Sequence, residues 1–393
     1  MQRPGEAPSR TVLHDRHVCA YSALPVPMIA ERLTAQLLAG RQPRDPVAVA
    51  ERVLAIQAQD PRGARLAVRA RTIGSTTAAD VDRALTVDRS LVISWLNRGT
   101  LHLVRSEDYP WLHALTTPQL VAGNARRLAQ EGVSPADADR SVGAVERALA
   151  NEGPLTRLQL RERIAAIGVR TEGQALIHVL FRAALLGLLV RGPMAGSQQA
   201  FVLTRDWLGA PPPVDRDRAL AELARRYLAG HGPAGERDLA RWAGVPLRDA
   251  RAGLQAIAPQ LDQREDGLVD LRGRPPAAPL PPPRLLGSFE PLLLGWTSRD
   301  LVLAAHHRRL VTDNGLFRPF ALVGGRATAT WSMPKGQVVL TPLEPIAPRD
   351  AMALEADAAD VVRFLRDSAT ATGDPHAESE RRGRPPHRHS IDA

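Results

Sequence analysis

Two Gly-Pro dipeptides, Gly153-Pro154 and Gly232-Pro233, open stretches with the same order of features at a spacing of 79 residues. The first continues through LTRLQLRERIAAIG and ALIHVLFRAALLGLLVRG to QQAFVLT, and the second through AGERDLARWAGVP and LRDARAGLQAIAPQL to DGLVDLRG. Helix, turn, second helix and a short strand pair, repeated at that size, make a winged helix-turn-helix pattern. An earlier, less regular copy has helical ALPVPMIAERLTAQLLA, DPVAVAERVLAIQAQD and AADVDRALTVDRSLVISWL before RGTLHLVRS. In that last piece Thr100, His102 and Val104 alternate with Leu101, Leu103 and Arg105, as in a half-buried strand. The chain therefore reads as α+β, with three tandem winged-helix (helix-turn-helix) units.

Proline sets the internal boundaries. APPPV (210–214) and PPAAPLPPPR (275–284) can continue neither a helix nor a central strand. Beyond the second break, LLGSFEPLLLGW, GLFRPFALVGGRATATWSM and GQVVLTPL read as strands, with Gly324-Gly325 as a hairpin turn. This predicts a small C-terminal β-rich domain. The division is an N-terminal extension at 1–19, units at 20–135, 136–212 and 213–275, the β-rich domain at 284–365, and a basic tail at 366–393. The tail has too few aliphatic residues to fold and is expected to be disordered. With 393 residues, 44% of them hydrophobic, each domain has material for a core of its own.

A formal net charge of +9 points to a polyanionic partner, nucleic acid first. The single cysteine, Cys19, excludes an internal disulfide framework and a Cys-rich metal site, which fits a reducing compartment. No run of eighteen apolar residues occurs, and the N-terminal stretch mixes Arg, Glu, Pro and His, so neither a signal peptide nor a membrane span is expected. The expected location is the cytoplasm. His306-His307 lack Cys or carboxylate partners at metal-ligand spacing, and His14-Asp15-Arg16-His17 reads as a solvated polar stretch. No phosphate-binding or dinucleotide fingerprint appears, so no metal and no cofactor are expected.

Gln57-Ala58-Gln59-Asp60 stands at the end of an apolar helical run, and Pro61 is expected to end that helix or force an extended step. Each glutamine offers a donor and an acceptor. On spacing alone the pair is a polar last turn of a helix. Asp60 is either a carboxylate that activates water or, directly before proline, a helix-end or turn residue. Arg98 and His102 also have two readings: contacts to phosphate or to a damaged base, or an Arg bound to a helix end and a strand-end His satisfied by the core. Trp95, Trp111 and Trp296 read as core residues.

Taken together, AIQAQDPRGARLAVRAR, WLNRGTLHLVRSEDYPWL, FEPLLLGW and DNGLFRPFALVGGRATATW resemble the AlkZ/YcaQ-type DNA glycosylases, over roughly Ala20 to Leu365. That family carries Gln–apolar–Gln in its AlkZ-like branch and Gln–apolar–Asp in the other, and Gln57 and Gln59 match the first form. The resemblance implies that these two residues hold or orient the hydrolytic water beside a flipped nucleotide. A similar RGT-x-H stretch implies DNA contacts at Arg98, Thr100 and His102, and Arg62, just past the motif, is a further candidate contact.

An N7- or N3-alkylated purine is cationic and leaves as a neutral base, so it needs little acid catalysis, and neutral amides suffice to position water. The implied substrate is double-stranded DNA with alkylated bases, bulky or crosslinked adducts included, bound by a nucleoid-associated monomer. Strand-nicking glycosylases use an amine. The only lysine, Lys335, lies far along the chain in SMPKGQ, so no lyase step is expected. The competing reading is a winged-helix regulator or lesion binder without catalysis.

Overall fold

The computed structural model describes residues 26–370, apart from 196–197, 304–305 and 313–314. The expected N-terminal extension and most of the expected tail lie outside the described residues.

The first stretch runs α1 (Val26–Ala35), α2 (Pro46–Val53), β1 (Ile56–Gln57), α3 (Pro61–Arg69), α4 (Ala78–Thr86), β2 (Leu91–Leu96) and β3 (Thr100–Arg105). Asp45 caps α2 by accepting from the Val47 amide, with Pro46 in the first turn, and Asp60 caps α3 by accepting from the Arg62 amide, with Pro61 in the first turn. Pro61 therefore opens a helix instead of ending one. The Gln57–Asp60 segment is not a helix end but a short strand and the step into α3, which corrects the reading from sequence.

Next come α5 (Tyr109–Thr116), α6 (Val121–Gln130), α7 (Pro135–Glu152), α8 (Arg157–Ala165), α9 (Ala175–Leu185), β4 (Leu189–Ala195), β5 (Gln198–Leu203) and α10 (Thr204–Leu208). Thr156 and Gln159 form a capping box at α8, placing that helix directly after Gly153-Pro154. The β4–β5 pair does not stand alone. Ile93 of β2 pairs with Arg191 of β4, giving one antiparallel sheet in the order β1-β3-β2-β4-β5 shared by the first two stretches.

A third stretch follows the first proline break: α11 (Arg216–His231), α12 (Glu236–Ala243), α13 (Leu247–Ala256), β6 (Leu261–Gln263) and β7 (Val269–Leu271), the last two forming their own ladder. Beyond the second break lie β8 (Arg284–Leu286), α14 (Pro291–Leu294), α15 (Asp300–Leu303), α16 (His307–Leu310), β9 (Phe320–Val323), β10 (Arg326–Ser332), β11 (Val339–Pro342) and α17 (Pro348–Thr370). The β9–β10 hairpin turns at Gly324-Gly325, with φ of 57° and 81°, as the sequence predicts.

The expected β-rich domain holds a four-stranded sheet but more helix than strand. The 23-residue α17 returns to pack on α3, α4 and β8, and Arg69 of α3 meets Asp357 and Asp360 of α17. Because α17 runs to Thr370, the expected tail boundary at 366 cuts into a helix. The cores are also shared. One joins Val49, Leu66 and Leu103 to Leu160, Leu180 and Phe364, and the other joins Leu33 and Tyr109 to Tyr227, Trp242, Trp296 and Phe320. Each draws on several stretches, because a hairpin built into a common sheet cannot close a core alone. Among the described residues no helix is long and apolar enough to cross a membrane.

Candidate active site

After α2 the chain turns at Leu54, with φ of 67°, and enters β1 against β3. Gln57 lies directly opposite His102, and His102 lies opposite Ser94 of β2. Directly paired residues point to the same face of a sheet, with Cβ atoms roughly 5 Å apart. The motif thus starts a row of three neutral polar side chains across three strands. The next amide, of Ala58, donates to the Leu101 carbonyl at 2.7 Å. Beyond it the Gln59 side chain takes over from the backbone, its Oε1 accepting from the Leu101 amide at 3.4 Å. Gln59 is otherwise exposed, and its amide nitrogen has no partner among the described residues.

Gln57 is 6% exposed, yet its side chain makes no hydrogen bond among the described residues. Neither of its amide atoms is among the fully sequestered unpaired ones, so the amide keeps access to solvent and is free to hold a water or a ligand polar group. His102 Nδ1 lies 2.9 Å from the Thr100 carbonyl. A carbonyl only accepts, so Nδ1 carries the proton and Nε2 is left as an acceptor. Burial, with the Arg98 cation beside it, pushes the His102 pKa down to about 3, so the ring is neutral at physiological pH.

Asp60 has both carboxylate oxygens engaged. Oδ1 accepts from the Arg62 amide at 3.0 Å, and Oδ2 accepts from the Ser288 hydroxyl in the turn after β8. That turn presses on α3 closely enough that a Cβ on Gly63 would meet the Ser288 carbonyl at 2.5 Å. The Arg62 side chain is exposed and has no ion pair among the described residues.

Arg98 sits in the turn between β2 and β3 with φ of 55°. Its guanidinium donates to the Trp242 carbonyl and, at 3.3 Å, to that of Arg241, in the last turn of α12. This is the helix-end contact, where a cation meets the negative pole of a helix. Burial, then Arg241 and Arg299, lower its pKa to about 10. Gly244, which ends α12 at φ of 71°, is required here: a Cβ would sit 2.7 Å from the Arg98 backbone nitrogen. The Thr100 hydroxyl donates to the Asn97 carbonyl at 3.4 Å.

The structure thus brings Gln57 on β1 together with Thr100 and His102 on β3, with Gln59 just past β1 and bonded to β3. Arg98, in the β2–β3 turn, is held on the end of α12, and Arg62 lies in the first turn of α3. Trp95 and Trp296 are buried core residues, as read from sequence. Sequence reasoning misses Ser288, Arg241 and Arg299, which reach the site from distant segments and carry no local signal. Lys335 is exposed in the turn between β10 and β11. Among the described residues no group of three or more His, Cys, Asp or Glu is placed to hold a metal ion.

The fold is a mixed helix and sheet whose five-stranded antiparallel sheet carries Gln57, His102 and Ser94 in one row, with Gln59 and Asp60 just beyond β1. Residues 50–364 match the family model described as DNA glycosylase AlkZ-like, and the chain belongs to that family. It is 28% identical over 365 residues to the interstrand DNA cross-link repair glycosylase of Streptomyces sahachiroi, covering 86% of this chain and 95% of that protein. It is also similar to the solved structure of the Streptomyces sahachiroi DNA glycosylase AlkZ. That match has a TM-score of 0.68 and 26% identity, and covers 86% of this chain and 96% of the other.

Proposed function

We propose that the chain is a monofunctional glycosylase that hydrolyses the N-glycosidic bond of N7- or N3-alkylated purines in double-stranded DNA, bulky and crosslinked adducts included. The observation that carries this is the Gln57 side chain, on a mostly buried residue opposite a neutral histidine, whose amide makes no hydrogen bond among the described residues and stays open to a water. Gln57 and Gln59 orient a water toward C1′ of the sugar. As the C1′–N bond breaks, its electron pair moves to the purinium ring and neutralises it; the water oxygen then bonds to C1′ and releases a proton. Neutral amides suffice for this, since the substrate supplies its own electron sink, the base leaves neutral without a general acid, and what is asked of the protein is to position the water.

In this reading Arg62 contacts DNA directly, Thr100 and His102 line the site, and Arg98 supplies positive potential while holding α12 to the sheet. The helix–helix–hairpin stretches act as winged-helix units, divided at the proline breaks, that wrap one lesion in a monomer at the nucleoid of the cytoplasm. No lyase step follows, because the only lysine lies outside the site. Incubating the protein with a duplex carrying one 7-methylguanine, then cleaving abasic sites with alkali, tests the proposal. Alkali-dependent strand scission is the expected result. Scission without alkali would show a lyase, and none at all would leave a DNA binder.

A further inference from the structure

A cleft of about 1020 Å³ opens between the α1–α2 connection, α2, α11 and the segment after β7, and none of the residues proposed for the reaction lines it. Seven arginines and one carboxylate, Glu51, form its walls. Arg225, Arg226 and Arg274 are committed to Glu222, Asp108 and Asp270. Arg41, Arg44 and Arg52 are exposed and have no carboxylate partner among the described residues. Although part of Arg52 is exposed, partial burial and then the Arg274 cation lower its pKa, with Glu51 opposing them. With cations outnumbering that one carboxylate along the walls, a bound anion stabilises the cleft.

We infer that this cleft is a second DNA-binding site, which holds backbone phosphates of the duplex flanking the damaged base. Arg52 and Gln57 are five residues apart in sequence, and five extended residues span at most about 18 Å. Duplex DNA carries one phosphate charge per roughly 1.7 Å of axis, so a duplex that runs from Gln57 toward the cleft carries several phosphates over that span. Guanidinium groups on two segments, Arg41 and Arg44 in the α1–α2 connection and Arg52 on α2, suit successive phosphodiesters, and the apolar wall at Pro43 and Ile73 suits deoxyribose faces. The cleft fixes where the duplex lies. It takes no part in bond breaking.

The test uses the full chain and the triple substitution Arg41→Gln, Arg44→Gln and Arg52→Gln. Each phosphate contact contributes a slope of about −0.9 to log K against log salt, so three lost contacts make the slope shallower by about 2.7. Between 50 and 200 mM salt the native chain is then expected to lose roughly 40-fold more affinity for a duplex than the triple variant. Melting temperatures, and single-turnover excision at saturating DNA, should match. This readout needs only binding, so it stands apart from whether excision occurs. Equal salt slopes overturn the inference. So does a rise in melting temperature with inorganic pyrophosphate in the native chain only, with DNA affinity unaffected, since that marks a site for small free anions. If the triple variant fails to fold, Arg44→Gln alone should narrow the salt-dependent loss about 3.5-fold, and an unchanged slope there refutes it equally.

Discussion

Among the contacts that join the C-terminal segment to α3 and the residues after it is a fully buried ion pair, Arg71 with Glu290, both side chains 0% exposed. Arg71 Nη2 donates to Glu290 Oε1 and to Gln36 Oε1 at 2.7 Å, and Nη1 donates to the Ala67 carbonyl at 2.9 Å. Arg71 Nε and Glu290 Oε2 are buried without partners, so the pair recovers only part of its desolvation cost. It contributes little net stability, but either half alone is costly. Glu290→Gln strands a buried cation and Arg71→Met strands a buried carboxylate, each expected to cost about 3–5 kcal/mol. The double substitution leaves neutral groups, and the new side-chain amide would retain an acceptor for the Leu292 amide that Glu290 now caps at 3.4 Å. Its cost should be about 1–2 kcal/mol, far below the sum of the single costs. Urea unfolding followed by tryptophan fluorescence measures all three. Single costs below about 1 kcal/mol, or a double cost equal to their sum, would refute the view that an uncompensated charge is what destabilises.

Two further outcomes follow from the same geometry. His102 and His231 are both held down to about pKa 3 by burial, so the unfolded chain binds protons that the folded one refuses. Their contribution to stability is constant above pH 6.5 and falls as pH drops below it, by about 2 kcal/mol per histidine at pH 5; His102→Gln should remove about half of that dependence in urea titrations, and equal stability at pH 7 and pH 5 would contradict it. Arg62→Ala should weaken binding to any duplex sequence alike and make the salt slope shallower by about 0.9, measured by fluorescence anisotropy, and an unchanged slope would remove Arg62 from the DNA contacts.

Much of the fold is legible in local sequence, because capping, turn and periodicity signals are local. The Gly153-Pro154 stretch, the Gly324-Gly325 hairpin and the two proline breaks are such features. The site is less legible. β1 is two residues long and exists only because it pairs with β3, so Gln57 meeting His102 is a long-range event that no local periodicity records. Asp60-Pro61 did carry a local signal, a cap followed by a first-turn proline, which the apolar run before it outweighs. Arg98 finds its carbonyl partners on α12, far along the chain, so sequence leaves its two readings open while the structure displays the helix-end contact. The α17 helix is rich in Ala and Asp, with no glycine and a proline only at its first position, and could be read from composition. Its adjoining polar tail obscures where it ends.

The most direct test of the account is single-turnover excision of 7-methylguanine by Gln57→Ala and Gln59→Ala, measured beside thermal melts of each. If both amides position water in the transition state, each substitution should slow excision by about 10- to 1000-fold, or roughly 1.4–4 kcal/mol. Gln57→Ala should lie toward the larger loss, because its whole amide is free of protein partners among the described residues, whereas Gln59 already spends one atom on the Leu101 amide. Asp60→Asn should cost less than either, Lys335→Ala should cost nothing, and the melting temperatures of both glutamine variants should stay at the native value. Native excision rates in both glutamine variants, or unfolding of either one, would make these residues structural and contradict the assignment.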